Sequence, residues 1–180
     1  MTKDGKIVFC EVGVGPLSMA NSFLLADNPN YEILAFEPHP VYYADFVKAV
    51  GSRPNVKIHN VAIGDENGEA EFYDNATSSS LVGIETTTKK HDTLNKFSVQ
   101  VRRISEFDNG EIDILSVDVE GNEFFVLKHL ISRPQQITVE IYNDLATYIN
   151  PYLFEIEEWA KNNDYKRVRV ANSDFVYRKI

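Results

Sequence analysis

The sequence predicts an α/β protein: a doubly wound, mostly parallel sheet between helical layers (α/β/α), ending in a C-terminal antiparallel hairpin strand. Three observations predict it. Short apolar, β-rich runs alternate with helical segments from Ile7 to Tyr142; a glycine turn, Gly13-Val14-Gly15, directly follows the first run; and the last two strand-like runs, Tyr165–Val170 and Phe175–Arg178, are separated only by Ala171-Asn172-Ser173-Asp174.

Ile7-Val8-Phe9-Cys10-Glu11-Val12 reads as a buried parallel strand entering that turn. Pro16 suits the first turn of a helix, where an N–H has no partner to lose, and a helix is expected to run on through Leu17 to Ala26. Asp27-Asn28-Pro29-Asn30 ends it. Tyr31–Phe36 is a second strand, closed by Glu37-Pro38-His39-Pro40 because proline biases the preceding residue toward extended backbone. Val41–Val50 has apolar residues at helical spacing, Gly51-Ser52-Arg53-Pro54 stops it, and Val56–Ile63 is a third strand.

Gly64–Gly68 is a turn, and Glu69–Tyr73 a short extra strand folding back beside it. From Asp74 to about Lys96 no period is sustained. A connection this long is either functional or structureless, so residues 74–97 are the candidate lid or substrate loop. Ser98–Arg103 alternates as a strand, Ile104–Phe107 is a short turn or helix, and Ile112–Asp118 is a buried strand. Glu120-Gly121-Asn122-Glu123 opens a helix to Leu130, Gln136–Tyr142 is the fifth strand, and a helix runs from Pro151 through Trp159 to Asn163 before the hairpin. With no repeat and no linker, residues 1–180 are expected to form a single domain.

Composition narrows the partners. The 180 residues carry 18 Lys plus Arg against 27 Asp plus Glu, a net charge of −9, so nucleic acid and anionic lipid are not expected. Arg102/Arg103 and Lys166/Arg167/Arg169 are local exceptions that read as a solvated edge. The single cysteine, Cys10, excludes an intramolecular disulfide and fits a reducing compartment; it reads as a core residue. No apolar run is long enough to span a bilayer, and the segment before Ile7 lacks the features of a secretory signal, so a cytoplasmic protein is expected.

In an open α/β sheet the ligand lies beyond the carboxyl ends of the strands. The polar residues there are Glu11, Glu37, Asn60, Asp118, Glu120 and Glu140. Gly13 and Gly15 let the backbone approach a ligand, although any tight strand-to-helix turn uses such glycines. Glu37 adds to them: it stands 22 residues past Gly15 at the end of the next strand, where an acidic side chain accepts from both hydroxyls of a ribose. The pair points to an adenosine-containing cofactor. For NAD a third glycine is expected where Ser18 stands, and Glu11 sits awkwardly beside a diphosphate. A donor with an amino group and a sulfonium, such as S-adenosylmethionine, suits this acidic mouth better.

These residues resemble a family. Glu11-Val12-Gly13-Val14-Gly15, Phe36-Glu37-Pro38-His39-Pro40, Asn60-Val61-Ala62-Ile63-Gly64-Asp65, Ser79-Ser80-Leu81, Val117-Asp118-Val119-Glu120-Gly121 and Val139-Glu140-Ile141 are similar to the ordered blocks of FkbM-type S-adenosylmethionine-dependent methyltransferases, which have the Rossmann-like class I fold. The resemblance runs from about residue 8 to the C-terminus and accounts for the terminal hairpin, since such sheets end with an inserted antiparallel strand. It implies that Glu11, Gly13 and Gly15 hold the methionine end of the cofactor, Glu37 and the adjoining Pro38 its ribose, and Ala62 and Ile63 its adenine, with Asn60 a polar contact and Asp118 facing the reactive methyl group. Departures from the pattern are Glu11 for the usual Asp, Pro16 in the turn, Ser116 for a frequent Lys, and the short segment ahead of the first strand. Relatives carry an N-terminal cover for the pocket, so the 74–97 loop or the second chain of a homodimer is expected to exclude water here.

The expected reaction is O-methylation of a sugar or small natural-product hydroxyl, with a small-molecule or glycan acceptor. Such a hydroxyl needs a base, and Asp118, Glu120 and the loop residue His91 are the candidates. Asp118 also reads as a helix cap. Asp118, Glu120 and Glu140 are alternatively an oxygen-ligand set for Mg²⁺, although the leading reading uses no metal. Two rival readings stand beside it. One is a non-catalytic cofactor-binding or scaffold protein of the same fold; the other is an NAD-dependent oxidoreductase.

Overall fold

The computed structural model describes residues 5–75, 79–81, 95–141, 143–144, 148–171 and 173–180. In chain order the elements are β1 (Ile7–Val12), α1 (Asn21–Leu25), β2 (Tyr31–Phe36), α2 (Pro40–Val50), β3 (Val56–His59), β4 (Ala62–Ile63), β5 (Gly68–Asp74), β6 (Asn95–Arg102), a 3-10 turn at Ile104–Glu106, β7 (Ile114–Val117), α3 (Glu123–Lys128), β8 (Gln136–Glu140), β9 (Asn143–Asp144), β10 (Tyr148–Ile149), α4 (Leu153–Asn162), β11 (Tyr165–Ala171) and β12 (Asp174–Lys179).

Seven strands form the main sheet in the order β11-β12-β8-β7-β1-β2-β3. The five from β8 to β3 are parallel, and β12 is inserted antiparallel between β8 and β11. From β1 the chain winds outward to β3 on one side and later to β8 on the other, so the strand order reverses at the β1–β7 pair, where the crevice of such a sheet opens.

Alternation along the strands divides the core between the two faces. Cys10, Val12, Leu115, Val117, Ile137, Val139, Phe175 and Tyr177 pack with Val126 and Leu127 of α3 and Ile156 and Ala160 of α4. On the opposite face Ile33 and Ala35 pack with Ala20 and Ala26 around α1 and with Phe46 and Val50 of α2. Cys10 is therefore a core residue, and burial pushes its thiol up.

Four local expectations are corrected. The first helix is only Asn21–Leu25; Pro16 to Met19 form a turn, closed by the Met19 N–H to the Pro16 carbonyl at 2.9 Å. The third strand breaks at Asn60 and Val61: β3 stays in the main sheet, whereas β4 leaves it to pair in parallel with β6. β4, β6 and β5 make a separate three-stranded sheet around Phe72, Val99 and Val101. Its β5–β6 ladder runs from Gly68–Val101 to Asp74–Asn95, so Asp74 and residues 95–97 are strand, and the candidate loop shortens at both ends. The small antiparallel pair β9–β10 was not foreseen. No helix among the described residues is long and apolar enough to cross a membrane.

Candidate active site

Strand register brings the site residues to one line. Val12 pairs with Phe36 on one side and Val117 on the other, and Val117 pairs with Val139. Gly13, Glu37, Asp118 and Glu140 consequently emerge level along the carboxyl edge of the sheet. A cleft of about 470 Å³ opens over this edge, lined by Glu11, Gly13, Gly15, Glu37, Pro38, Ala62, Ile63, Asp118, Glu120 and Glu140. Its size is that of a small-molecule site.

The turn after β1 needs its glycines. Gly13 has φ +84°, and a Cβ there would stand 1.7 Å from the Asp118 carbonyl oxygen; Gly15 has φ +62° with open space beside it. The Gly15 N–H donates to Glu37 Oε2 at 2.7 Å, and the His39 N–H donates to Oε1 at 2.7 Å. Glu37 is thus held by main-chain donors from the two loops that flank it. The Val14 main chain also bears on this carboxylate, and with two lone pairs on each oxygen it keeps capacity for a further donor. Glu37 is 4% exposed, and burial raises its pKa against the pull of these hydrogen bonds.

Glu11 has a different job. Its Oε1 accepts from the Asn21 N–H at 2.9 Å and the Asn21 side chain at 3.0 Å, while Oε2 accepts from the Ser22 N–H at 2.9 Å and from the Ser22 hydroxyl. These N–H groups are unpaired donors at the start of α1, so a carboxylate from the neighbouring strand, rather than Pro16, sets where the helix begins. Glu11 still borders the cleft.

Asp118, Glu120 and Glu140 converge, with one carboxylate oxygen of each within 4.8 Å of the others. Burial is the main cause that pushes the Asp118 carboxyl up to about 9, and a hydrogen bond with Glu140 adds to it. Burial thus favours the protonated form of Asp118, in a hydrogen bond with Glu140. Ser173 Oγ donates to Glu140 Oε1 at 2.6 Å.

A family model described as the methyltransferase FkbM domain matches residues 11–167. The chain belongs to the FkbM methyltransferase family. Solved structures share its fold. An O-methyltransferase family 2 protein from Planctomyces limnophilus DSM 3776, in complex with apigenin, has a TM-score of 0.52 at 10% identity, over 100% of this chain and 53% of its own. The Methanococcus jannaschii fibrillarin pre-rRNA processing protein has a TM-score of 0.51 at 12% identity, over 97% of this chain and 67% of its own. A putative rRNA-methylase from Clostridium thermocellum has a TM-score of 0.50 at 11% identity, over 96% and 86%. This chain spans about half the length of the first of these, 53%. No curated protein matches it significantly by sequence.

One expected site residue of this FkbM domain is not in the cleft wall, and another lies outside the described residues. Asn60 is not among the lining residues; its Nδ2 donates to the Glu37 and Pro38 carbonyl oxygens at 2.8 and 3.1 Å, which ties the β3–β4 break to the loop after β2. His91 lies outside the described residues, as do 76–78 and 82–94 of the candidate loop.

Sequence reasoning assigned no site role to four supporting residues. Glu123, 1% exposed, accepts from the Gly121 N–H at 2.8 Å and from Asn150 Nδ2 at 2.5 Å, fixing the turn that carries Asp118 and Glu120. Asn150 lies 27 residues further on, so only the fold reveals the pair. Asn122, buried in the same turn, borders the cleft. Leu81, from the polar segment after β5, joins Ala62, Ile63 and Phe72 in an apolar stretch of wall.

Proposed function

We propose that this protein is an S-adenosylmethionine-dependent methyltransferase acting on a hydroxyl of a sugar or small natural product. The observation that carries the reading is Glu37: a buried carboxylate, oriented by two main-chain N–H groups, beside a glycine turn and with acceptor capacity to spare. A ribose diol presents two donors to such a group. The open space at Gly15 admits a ligand backbone close by, and Ala62, Ile63 and Leu81 offer an apolar surface for an adenine ring.

Bound S-adenosylmethionine would supply an activated methyl group on a positively charged sulfur. The task left to the chain is to hold the acceptor in line and to take its proton. Asp118, Glu120 and Glu140 bring their carboxyl groups together at the cleft edge, and one of them would serve as the base, with the hydrogen bond between Asp118 and Glu140 orienting the pair. The acidic side chains of Glu11, Glu120 and Glu140 along the cleft suit a cationic donor better than a diphosphate cofactor.

Incubation with methyl-labelled S-adenosylmethionine and a panel of hydroxylated acceptors tests the reading. Transfer of label to a hydroxyl supports it. Binding of the cofactor without transfer to any acceptor favours a protein that keeps the fold without turnover, and hydride chemistry with NAD would replace it altogether.

A further inference from the structure

Among the described residues, the buried polar side chains around the site are hydrogen-bonded, with the exception of Asn122. Glu11, Glu37, Glu123 and Asn150 all have partners. Asn122 is 7% exposed, yet its carboxamide has no hydrogen-bond partner among the described residues, even though it occupies the N-cap position of α3. A buried amide offers two donors and an acceptor, and native structures leave such a group unpaired only where something else is to satisfy it.

The location says what that is. Asn122 borders the cleft in the turn that carries Asp118 and Glu120, and with Leu81 it also borders a second, shallower hollow over Gly64–Ala70. The turn is held in a left-handed conformation, φ +53° at Glu120 and +105° at Gly121, locked by Glu123. Backbone maintained in this region is a feature of working sites. Asn122 thus stands where the cleft and the hollow adjoin, two residues along the chain from Glu120.

We propose that the Asn122 carboxamide is a specificity-determining contact for the methyl acceptor, donating to and accepting from an uncharged hydroxyl beside Asp118. This rests on the methyl-transfer reading above. An amide matches a hydroxyl, which is both donor and acceptor, and the acidic side chains Glu120, Glu140 and Asp174 around the cleft accept from further hydroxyls and disfavour phosphate or carboxylate groups.

The test compares wild type with Asn122→Leu, which keeps the number and branching of the heavy atoms and removes the polar ones. The ligand-free variant is expected to melt at the same temperature as wild type or higher, because an unpaired buried amide is removed. Its affinity for S-adenosylhomocysteine is expected to stay within about twofold. In wild-type protein saturated with S-adenosylhomocysteine, the Asn122 side-chain NMR signals, assigned by their absence in the variant, are expected to move on titration with methyl α-glucoside and not with glucose 6-phosphate. A melting temperature lowered both in Asn122→Leu and in the smaller Asn122→Ser would show that the amide has a partner within the fold. A loss of about tenfold or more in S-adenosylhomocysteine affinity would assign it to the cofactor. Signals that move with neither sugar, or as readily with the phosphate, also overturn the proposal. Failure of wild type to bind S-adenosylhomocysteine is a separate outcome, which removes the methyl-transfer reading and the proposal with it.

Discussion

A Cβ built on Gly13 would stand 1.7 Å from the carbonyl oxygen of Asp118, so the glycine turn after β1 and the acidic turn after β7 are packed backbone against backbone. The obstacle is main chain, which has no rotamer to yield. Gly13→Ala is expected to destabilise the fold by about 3 kcal/mol or more, through displaced backbone and a strained φ. Gly15→Ala is the control: its Cβ meets nothing within 4 Å, so only the φ of +62° opposes it, about 1–2 kcal/mol. Its methyl group would project into open space beside the cleft and is expected to weaken cofactor binding instead. Denaturant titration paired with calorimetry separates the two.

Glu37→Ala removes the acceptor for the Gly15 and His39 N–H groups as well as the ribose contact. S-adenosylhomocysteine affinity is expected to fall by about 2–3 kcal/mol, the scale of charge-assisted hydrogen bonds. An unchanged dissociation constant in calorimetry would remove Glu37 from the cofactor site.

The Asp118 carboxyl gives the fold a pH signature. Its pKa is raised to about 9, chiefly by burial, so between the ordinary carboxylate range and that value the folded protein holds a proton the unfolded chain has released. Stability of the ligand-free protein is therefore expected to fall as pH rises from about 5 to about 9. Glu11, Glu37 and Glu123 are raised by burial too and add to the same trend. Asp118→Asn is expected to flatten the slope without abolishing it, as read by urea midpoints across that range.

Much of this was legible in the chain. The order of strands and helices, the inserted terminal strand and the line of Gly13, Glu37, Asp118 and Glu140 all follow from local runs and from the rule that such sheets bind ligands at their carboxyl edge. What the sequence hid was decided by partners distant along it. Glu11 fixes the start of α1 from another strand, so the helical pattern from Leu17 overestimated its length. Ala62 and Ile63 continue an apolar run with β3, yet Val101 and Arg102 draw them into a separate sheet. Asn60 Nδ2 donates to the carbonyl groups of Glu37 and Pro38, a bracing role that its place at a strand end does not reveal.

Glu123 illustrates the same point with a measurable consequence. Glu123→Ala would leave the buried Asn150 amide and the Gly121 N–H without their acceptor. A loss of about 2–4 kcal/mol of stability is expected, since each unpaired buried donor costs about 1–3 kcal/mol. Thermal and urea denaturation check it; a change of less than about 1 kcal/mol would mean that water replaces Glu123 at this turn.

The most direct measurement is calorimetric titration of the purified protein with S-adenosylhomocysteine, with NAD as the control ligand. One molecule of S-adenosylhomocysteine bound per chain, with no heat from NAD, is the result predicted by the glycine turn, Glu37 and the carboxylates at the sheet edge. Binding of NAD without S-adenosylhomocysteine, or of neither, would contradict it.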